Sequence, residues 1–144
     1  MADFHQNGNI TTLHNLTHRS VEEMEQELLR FSRQRPLALI LPSLFSELET
    51  EALPHIIEEL TQVPYLSQIT IGLDRADEQQ YRHAVEFFSK LPQEHRVLWN
   101  DGPRLRALDD ELQKLGLAPQ QPGKGRNVWY CMGYTLASGQ AESI

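Results

Sequence analysis

The sequence has very little cysteine and no excess of basic residues. Cys131 is the single cysteine among 144 residues, so no disulfide can form within the chain, as is typical of proteins in a reducing compartment. Thirteen Lys and Arg residues stand against twenty Asp and Glu residues, which gives a net charge of −7. A chain this acidic is a poor candidate for broad binding to nucleic acid or to anionic membranes. We therefore expect no nucleic-acid partner.

Long hydrophobic runs are also absent. No apolar stretch approaches the ~18 residues that a membrane-spanning helix requires. Residues 1–19 are polar and lack the apolar segment of a signal peptide. These features predict a soluble, cytoplasmic protein without a membrane span.

The remaining composition is that of one globular domain. Hydrophobic residues make up 40% of the chain and charged residues 23%, enough apolar material for a buried core. Residues 1–19 show no sustained periodicity and are interpreted as a flexible N-terminal arm. Residues 20–144 are interpreted as a single α/β domain.

Apolar periodicity alternates between helices and strands along this domain. Short apolar or β-branched runs predict strands at 36–42, 67–73 and 96–99. Periods of three and four residues, with capping residues and prolines at the starts, predict helices at 20–33, around 53–60, at 77–91, at 103–115 and at 126–138. On the inner face of the last helix we expect Val128, Cys131, Met132, Thr135 and Leu136. A further element is expected to begin at 141–144.

Strands that alternate with helices predict a mostly parallel sheet covered on both faces, which is a three-layer, Rossmann-like α/β sandwich. In such a sheet the loops that follow the strands gather at one edge, and ligands bind there. Glu47 and Asp74 follow the first and second predicted strands. We therefore expect both carboxylates at that edge.

The segment Gly123-Lys124-Gly125-Arg126 has the character of an anion site. Two glycines allow close approach of the backbone to a ligand, and the start of the following helix presents free N–H groups and a positive dipole end. Lys124 and Arg126 add two full charges. A phosphate or diphosphate suits this turn, although an ordinary solvated loop has the same composition. Since Gly125 follows Lys124, the turn is not a Walker phosphate loop.

The order of these motifs resembles the nucleotide-binding half of GT-A glycosyltransferases, in particular enzymes of the glucosyl-3-phosphoglycerate synthase and mannosylglycerate synthase type. In that family a first strand ends in Pro-Ala-x-Asn-Glu-Glu, a second ends in an acidic tip, and a later Gly-Lys-Gly begins a helix. The corresponding segments here are 41–47, 69–74 and 123–125. Glu47 lies at the second Glu of the first motif, whereas Ser46 replaces the first Glu. The resemblance covers about residues 36–144.

The resemblance implies a site for a nucleotide-diphosphate sugar, UDP- or GDP-hexose, with a small-molecule acceptor. It assigns this site to Pro42, Ser43, Glu47, Asp74, Gly123, Lys124, Gly125 and Arg126. The family also uses a divalent metal, Mg²⁺ or Mn²⁺, held by an Asp-x-Asp motif. No such motif follows the Gly-Lys-Gly helix, so residues 20–144 are expected to be an incomplete domain, with the metal and catalytic residues beyond Ile144 and no sugar transfer by residues 1–144 alone.

Two other interpretations remain open from the sequence. One is a non-catalytic nucleotide- or phosphate-binding α/β module, and the other is an interaction domain with an inert loop. The sequence leaves the sugar, the base, the acceptor, the stereochemistry and the formation of a homo-oligomer undecided.

Overall fold

A computed structural model describes residues 19–119 and 121–144. The predicted arm, residues 1–19, lies outside this part of the chain except for Arg19. Five α-helices and three strands follow one another in the described residues: α1 (Val21–Ser32), β1 (Leu37–Leu44), a 3₁₀ helix (Phe45–Glu49), α2 (Ala52–Leu60), β2 (Leu66–Asp74), α3 (Glu78–Phe88), β3 (Glu94–Trp99), α4 (Pro103–Lys114) and α5 (Lys124–Ser138). None of these helices has the length and apolarity needed to cross a membrane.

The three strands form one parallel sheet in the order β1-β2-β3. Side chains on a strand alternate between the two faces, so Ile69, Ile71 and Leu73 of β2 share one face. They belong to the hydrophobic core together with residues of α2 and α3, among them the fully buried Phe88. Gln68, Thr70 and Gly72 lie on the other face, under α5. The predicted parallel α/β sheet with helices on both faces is thus confirmed.

The strand β1 continues two residues beyond Pro42, where the sequence predicts its end. Pro42 pairs with Gly72 of β2 in register. The Ala38 N–H donates to the Ser143 carbonyl at 2.8 Å, so the N–H groups of alternate residues from Ala38 onward point away from β2. The N–H that Pro42 lacks would face this outer edge, and the proline removes no bond to β2.

The chain returns to the outer edge of β1 at its end. Leu37 and Ser143 form a parallel bridge, and the Glu142 N–H donates to the Pro36 carbonyl at 2.9 Å. The further element expected at 141–144 is therefore present as a strand-like pairing. It lies on the side of β1 opposite β2.

The helix α5 differs from its prediction in both its start and its orientation. It begins at Lys124, so Gly125 and Arg126 lie inside its first turn. Met132 and Leu136, expected inside, are 43% and 69% exposed. Cys131 and Thr135 are buried as predicted, and Asn127 and Tyr130 take the other buried positions of the helix. The physical reason is the polar face of β2, against which α5 turns its polar side chains.

Candidate functional site

A pocket of about 200 Å³ lies at the carboxyl ends of β1 and β2, next to the first turn of α5. Six of the eight predicted site residues line it together, although they are up to 82 positions apart in the sequence. The full lining comprises Pro42, Ser43, Leu44, Glu47, Asp74, Arg75, Gly123, Lys124 and Asn127. The strand ends thus meet at one edge of the sheet, as a parallel topology requires. The binding role of these residues stays a prediction.

Glu47 is held in place by the end of β1. Its Oε2 accepts a hydrogen bond from the Leu44 N–H at 2.8 Å and lies 3.1 Å from the Ser43 hydroxyl, which can donate to it. Glu47 is the third residue of the 3₁₀ helix, the position from which a side chain reaches back to the N–H before the helix. One carboxylate oxygen is therefore fixed. The second oxygen forms no hydrogen bond within the described residues and can accept one from a ligand.

Asp74 is the last residue of β2 and faces the same pocket. Its Oδ1 accepts a hydrogen bond from the Arg75 N–H at 3.2 Å. Arg75 has a φ of 55°, in the left-handed region that non-glycine residues seldom adopt. The tight turn brings Arg75 into the lining of the pocket. Arg75 is a site residue that the sequence prediction missed, because nothing in the local pattern marks a left-handed arginine.

Lys124 and Gly123 form the opposite wall. Gly123 precedes α5 with a φ of 144°, a backbone conformation that favours glycine. The free N–H groups and the positive dipole end of the helix lie beside the Lys124 side chain. Lys124 is exposed and forms no ion pair within the described part of the chain. Two carboxylates and a cationic helix start therefore share one small pocket.

Gly125 and Arg126 are not brought to this pocket. Successive residues of a helix project about 100° apart, so Arg126 leaves α5 in a different direction from Lys124. Its Nη1 lies 3.6 Å from Asp109 Oδ2 of α4, and its side chain is 21% exposed. The Tyr130 hydroxyl donates to the same carboxylate. Burial and this hydrogen bond raise the pKa of Tyr130 to about 12. These contacts connect α5 to α4.

Asn127 is the second residue that the sequence prediction missed. It is 2% exposed, and its Nδ2 donates a hydrogen bond to the Gly72 carbonyl at 2.8 Å. A glycine inside an otherwise β-branched strand marks a close backbone approach, and Gly72 carries that signal in the sequence. The signal does not identify which side chain makes the approach.

The pocket offers hydrogen-bond acceptors from Glu47 and Asp74 and positive charge from Arg75 and Lys124. Carboxylate oxygens can accept hydrogen bonds from sugar hydroxyls or a base N–H, and an ammonium group beside a helix start suits an anion. Residues 19–119 and 121–144 contain no group of three or more His, Cys, Asp or Glu side chains that could hold a metal ion.

Comparisons with known proteins agree with these features. The chain is 46% identical over 144 residues to a glucosyl-3-phosphoglycerate synthase of Persephonella marina, a match that covers all of this chain and 36% of the relative. It is 36% identical over 149 residues to a glucosyl-3-phosphoglycerate synthase of Methanococcoides burtonii, with 99% of this chain and 36% of the relative covered.

The chain spans about a third of the length of these curated relatives. No family model matches it, and no solved structure matches it significantly. The whole chain is therefore homologous to a segment that makes up about a third of each of these glucosyl-3-phosphoglycerate synthases. This homology confirms the resemblance to glycosyltransferases of that type.

Proposed function

We propose that this chain is the nucleotide-sugar-binding part of a glycosyltransferase that transfers a glucosyl group from a nucleotide-diphosphate sugar to 3-phosphoglycerate. The observation that carries the proposal is the convergence of Glu47, Asp74 and Lys124 on one pocket at the edge of the sheet where α/β proteins bind ligands. The names of the two relatives supply the sugar and the acceptor.

The two sides of the pocket bind different parts of the nucleotide-diphosphate sugar. Glu47 and Asp74 accept hydrogen bonds from the ribose hydroxyls or from a base N–H. Lys124 and the first N–H groups of α5 face the diphosphate, whose charge they offset. A volume of about 200 Å³ lies below the roughly 300–1,000 Å³ of typical ligand sites. The pocket thus accommodates part of the nucleotide, and the sugar extends beyond it.

Catalysis requires groups that the described residues do not supply. Cleavage of the donor leaves negative charge on the departing diphosphate, and a divalent ion, Mg²⁺ or Mn²⁺, neutralises such charge when bound. Residues 19–119 and 121–144 contain no Asp-x-Asp motif and no group of three or more acidic, histidine or cysteine side chains for that ion. We expect residues 1–144 to bind nucleotide without transferring sugar. A donor-consumption assay with Mg²⁺ or Mn²⁺ tests this, since metal-dependent transfer by this chain would contradict it.

A thermal-shift screen identifies the nucleotide. A ligand that binds the folded chain raises its melting temperature, so UDP-, GDP- and ADP-sugars are compared at equal concentration. A shift with UDP- or GDP-sugars supports the proposal. The absence of any shift would favour the interaction-domain alternative.

The substitution Lys124→Ala then tests whether the Lys124 ammonium group binds the diphosphate. We expect it to weaken binding of the nucleoside diphosphate by roughly 1–3 kcal/mol, because one charge-assisted bond to phosphate is lost. Binding of the corresponding nucleoside is expected to be unchanged. The matched control is Lys114→Ala at the end of α4, which removes an equal charge outside the pocket. Equal losses for diphosphate and nucleoside in calorimetry would show that Lys124 does not contact the diphosphate.

A further inference from the structure

The first turn of α5 contacts β2 at unusually short range. A Cβ built on Gly72 would lie 1.7 Å from Asn127 Oδ1 and 2.6 Å from Cys131 Sγ. Both distances are far below van der Waals contact, so the helix can approach the strand this closely only over a glycine. Asn127 uses the space to donate its hydrogen bond to the Gly72 carbonyl.

This hydrogen bond joins the two elements that carry opposite charges in the pocket. Gly72 lies two residues before Asp74 on β2, and Asn127 lies three residues after Lys124 on α5. Three residues are nearly one helical turn, so Asn127 is below Lys124 on the helix. This buried side chain is therefore a hydrogen-bonded link between the strand that carries Asp74 and the helix that carries Lys124.

We propose that Asn127 is a positioning residue, which fixes the first turn of α5 on β2 so that Lys124 and the helix N–H groups face the diphosphate. The inference rests on the proposed function. Asn127 acts through Lys124, because its Nδ2 donates to the Gly72 carbonyl, its Oδ1 accepts from the Cys131 thiol at 3.5 Å, and its side chain is almost completely buried.

The remaining contacts between α5 and β2 cannot replace this one. The Thr70 and Thr135 hydroxyls lie 2.8 Å apart, and the Ser138 hydroxyl lies 2.9 Å from Gln68 Oε1. At 1.5 Å per residue, Thr135 and Ser138 are roughly 12 and 17 Å along the helix from Asn127. Without Asn127 the first turn of α5 has no hydrogen bond to β2, and its remaining ion pair is to α4, so the turn can shift relative to the strand.

Thr135 provides a matched control, since it is as buried as Asn127 and also bonds β2, but does not line the pocket. We expect Asn127→Ala to weaken UDP or GDP binding by roughly tenfold, about the effect of one lost hydrogen bond to a charged group, and to leave nucleoside binding within about twofold. Thr135→Val is expected to lower the melting temperature and to leave both dissociation constants within about twofold. Asn127→Ser, which leaves a smaller cavity but does not reach the Gly72 carbonyl, is expected to behave as Asn127→Ala.

Calorimetry on the folded 144-residue chain distinguishes the outcomes. Suppose that the wild-type chain binds the nucleoside diphosphate, and that Asn127→Ala and Asn127→Ser bind it equally well. This result would overturn the inference and leave the proposed function intact. An equal loss of nucleoside binding would also overturn it, because Asn127 would then contact the nucleoside itself.

Amide hydrogen exchange tests the positioning without any ligand. We expect Asn127→Ala to accelerate exchange at residues 127 and 128 roughly tenfold, and Thr135→Val to accelerate exchange only in the last turns of α5. Equal acceleration along the whole helix in both variants would overturn the inference. A wild-type chain that binds no nucleotide would refute the proposed function, whereas this measurement would still decide whether Asn127 holds the turn.

Discussion

The two faces of the central strand β2 differ in polarity, although alternate residues of the same strand form them. On one face, Ile69, Ile71 and Leu73 of β2 pack with α2 and α3 and are fully buried. On the other face, Thr70 faces Thr135 and Gly72 faces Asn127 of α5, and these contacts are hydrogen bonds. Alternate residues of one strand therefore belong to an apolar core and to a polar interface.

The apolar face contributes most of the stability, whereas the polar face positions α5 on the sheet. Burial of apolar area is roughly proportional to that area and has no direction. Hydrogen bonds lose strength within a few tenths of an ångström and a few tens of degrees, so they fix the register of a helix on a strand. The pocket lies at the end of the polar interface, where the placement of Lys124 matters more than the area buried.

The largest expected effect is on the apolar face. Phe88→Ala is expected to lower the free energy of unfolding by roughly 3–5 kcal/mol, because Phe88 is fully buried in the core and its loss leaves a cavity. Urea denaturation measures this free energy. The control is Thr70→Ser on the polar face, for which a much smaller loss of free energy of unfolding is expected. A loss below about 1 kcal/mol for Phe88→Ala would contradict the assignment of this face as the main core.

The next expected effect comes from closing the gap between β2 and α5. Gly72→Ala is expected to cost roughly 1–3 kcal/mol, because the new methyl group overlaps Asn127 and Cys131. The control is Gly133→Ala on the same helix, where a Cβ meets no atom within 4 Å. That variant is expected to gain about 0.5–1 kcal/mol from helix propensity. If both substitutions stabilised the fold, the close approach at Gly72 would be refuted.

A smaller effect is expected for the hydroxyl pair in the middle of the polar interface. The Thr135 hydroxyl lies 2.8 Å from the Cys131 carbonyl and donates to it, so the Thr70 hydroxyl donates to Thr135. Thr135→Val leaves this buried donor unpaired, at a cost of about 1–2 kcal/mol. We expect the double variant Thr70→Val with Thr135→Val to recover most of that loss. Additive losses in the double-mutant cycle would show that the two hydroxyls do not interact.

The smallest expected effect is a dependence on pH. Burial raises the pKa of the Cys131 thiol from its ordinary value of 9.0 to about 12. The unfolded chain then loses the thiol proton first, so this contribution to stability is present below pH 9 and is lost as the pH rises toward 12. Between pH 8 and 10 the wild type is expected to lose about 1 kcal/mol more than Cys131→Ala under reducing conditions. If urea denaturation showed that the wild type and Cys131→Ala lose the same free energy of unfolding over this pH range, the thiol would be in contact with water.

Sequence patterns predicted the order of helices and strands because local periodicity and capping residues mark them. The capping boxes at Ser20 and at Asp77 are present in the structure, and β2 matches its predicted bounds within one residue at each end. The start of α5 was displaced by two residues, since glycines at 123 and 125 mask the beginning of a helix. Three lining residues of the pocket were not predicted: Leu44, Arg75 and Asn127.

Local sequence patterns predict the parallel α/β architecture and the edge at which Glu47, Asp74 and Lys124 meet, because strand ends and helix starts are encoded locally and topology then brings them together. The rotation of α5 about its axis, in contrast, depends on tertiary contacts with β2. The predicted inner face is right for Cys131 and Thr135 but wrong for Met132 and Leu136, because the polar residues of β2 find partners in Asn127, Thr135 and Ser138. Each unpaired polar group in that interface would cost about 1–3 kcal/mol, so hydrogen bonding contributes to the orientation of the helix.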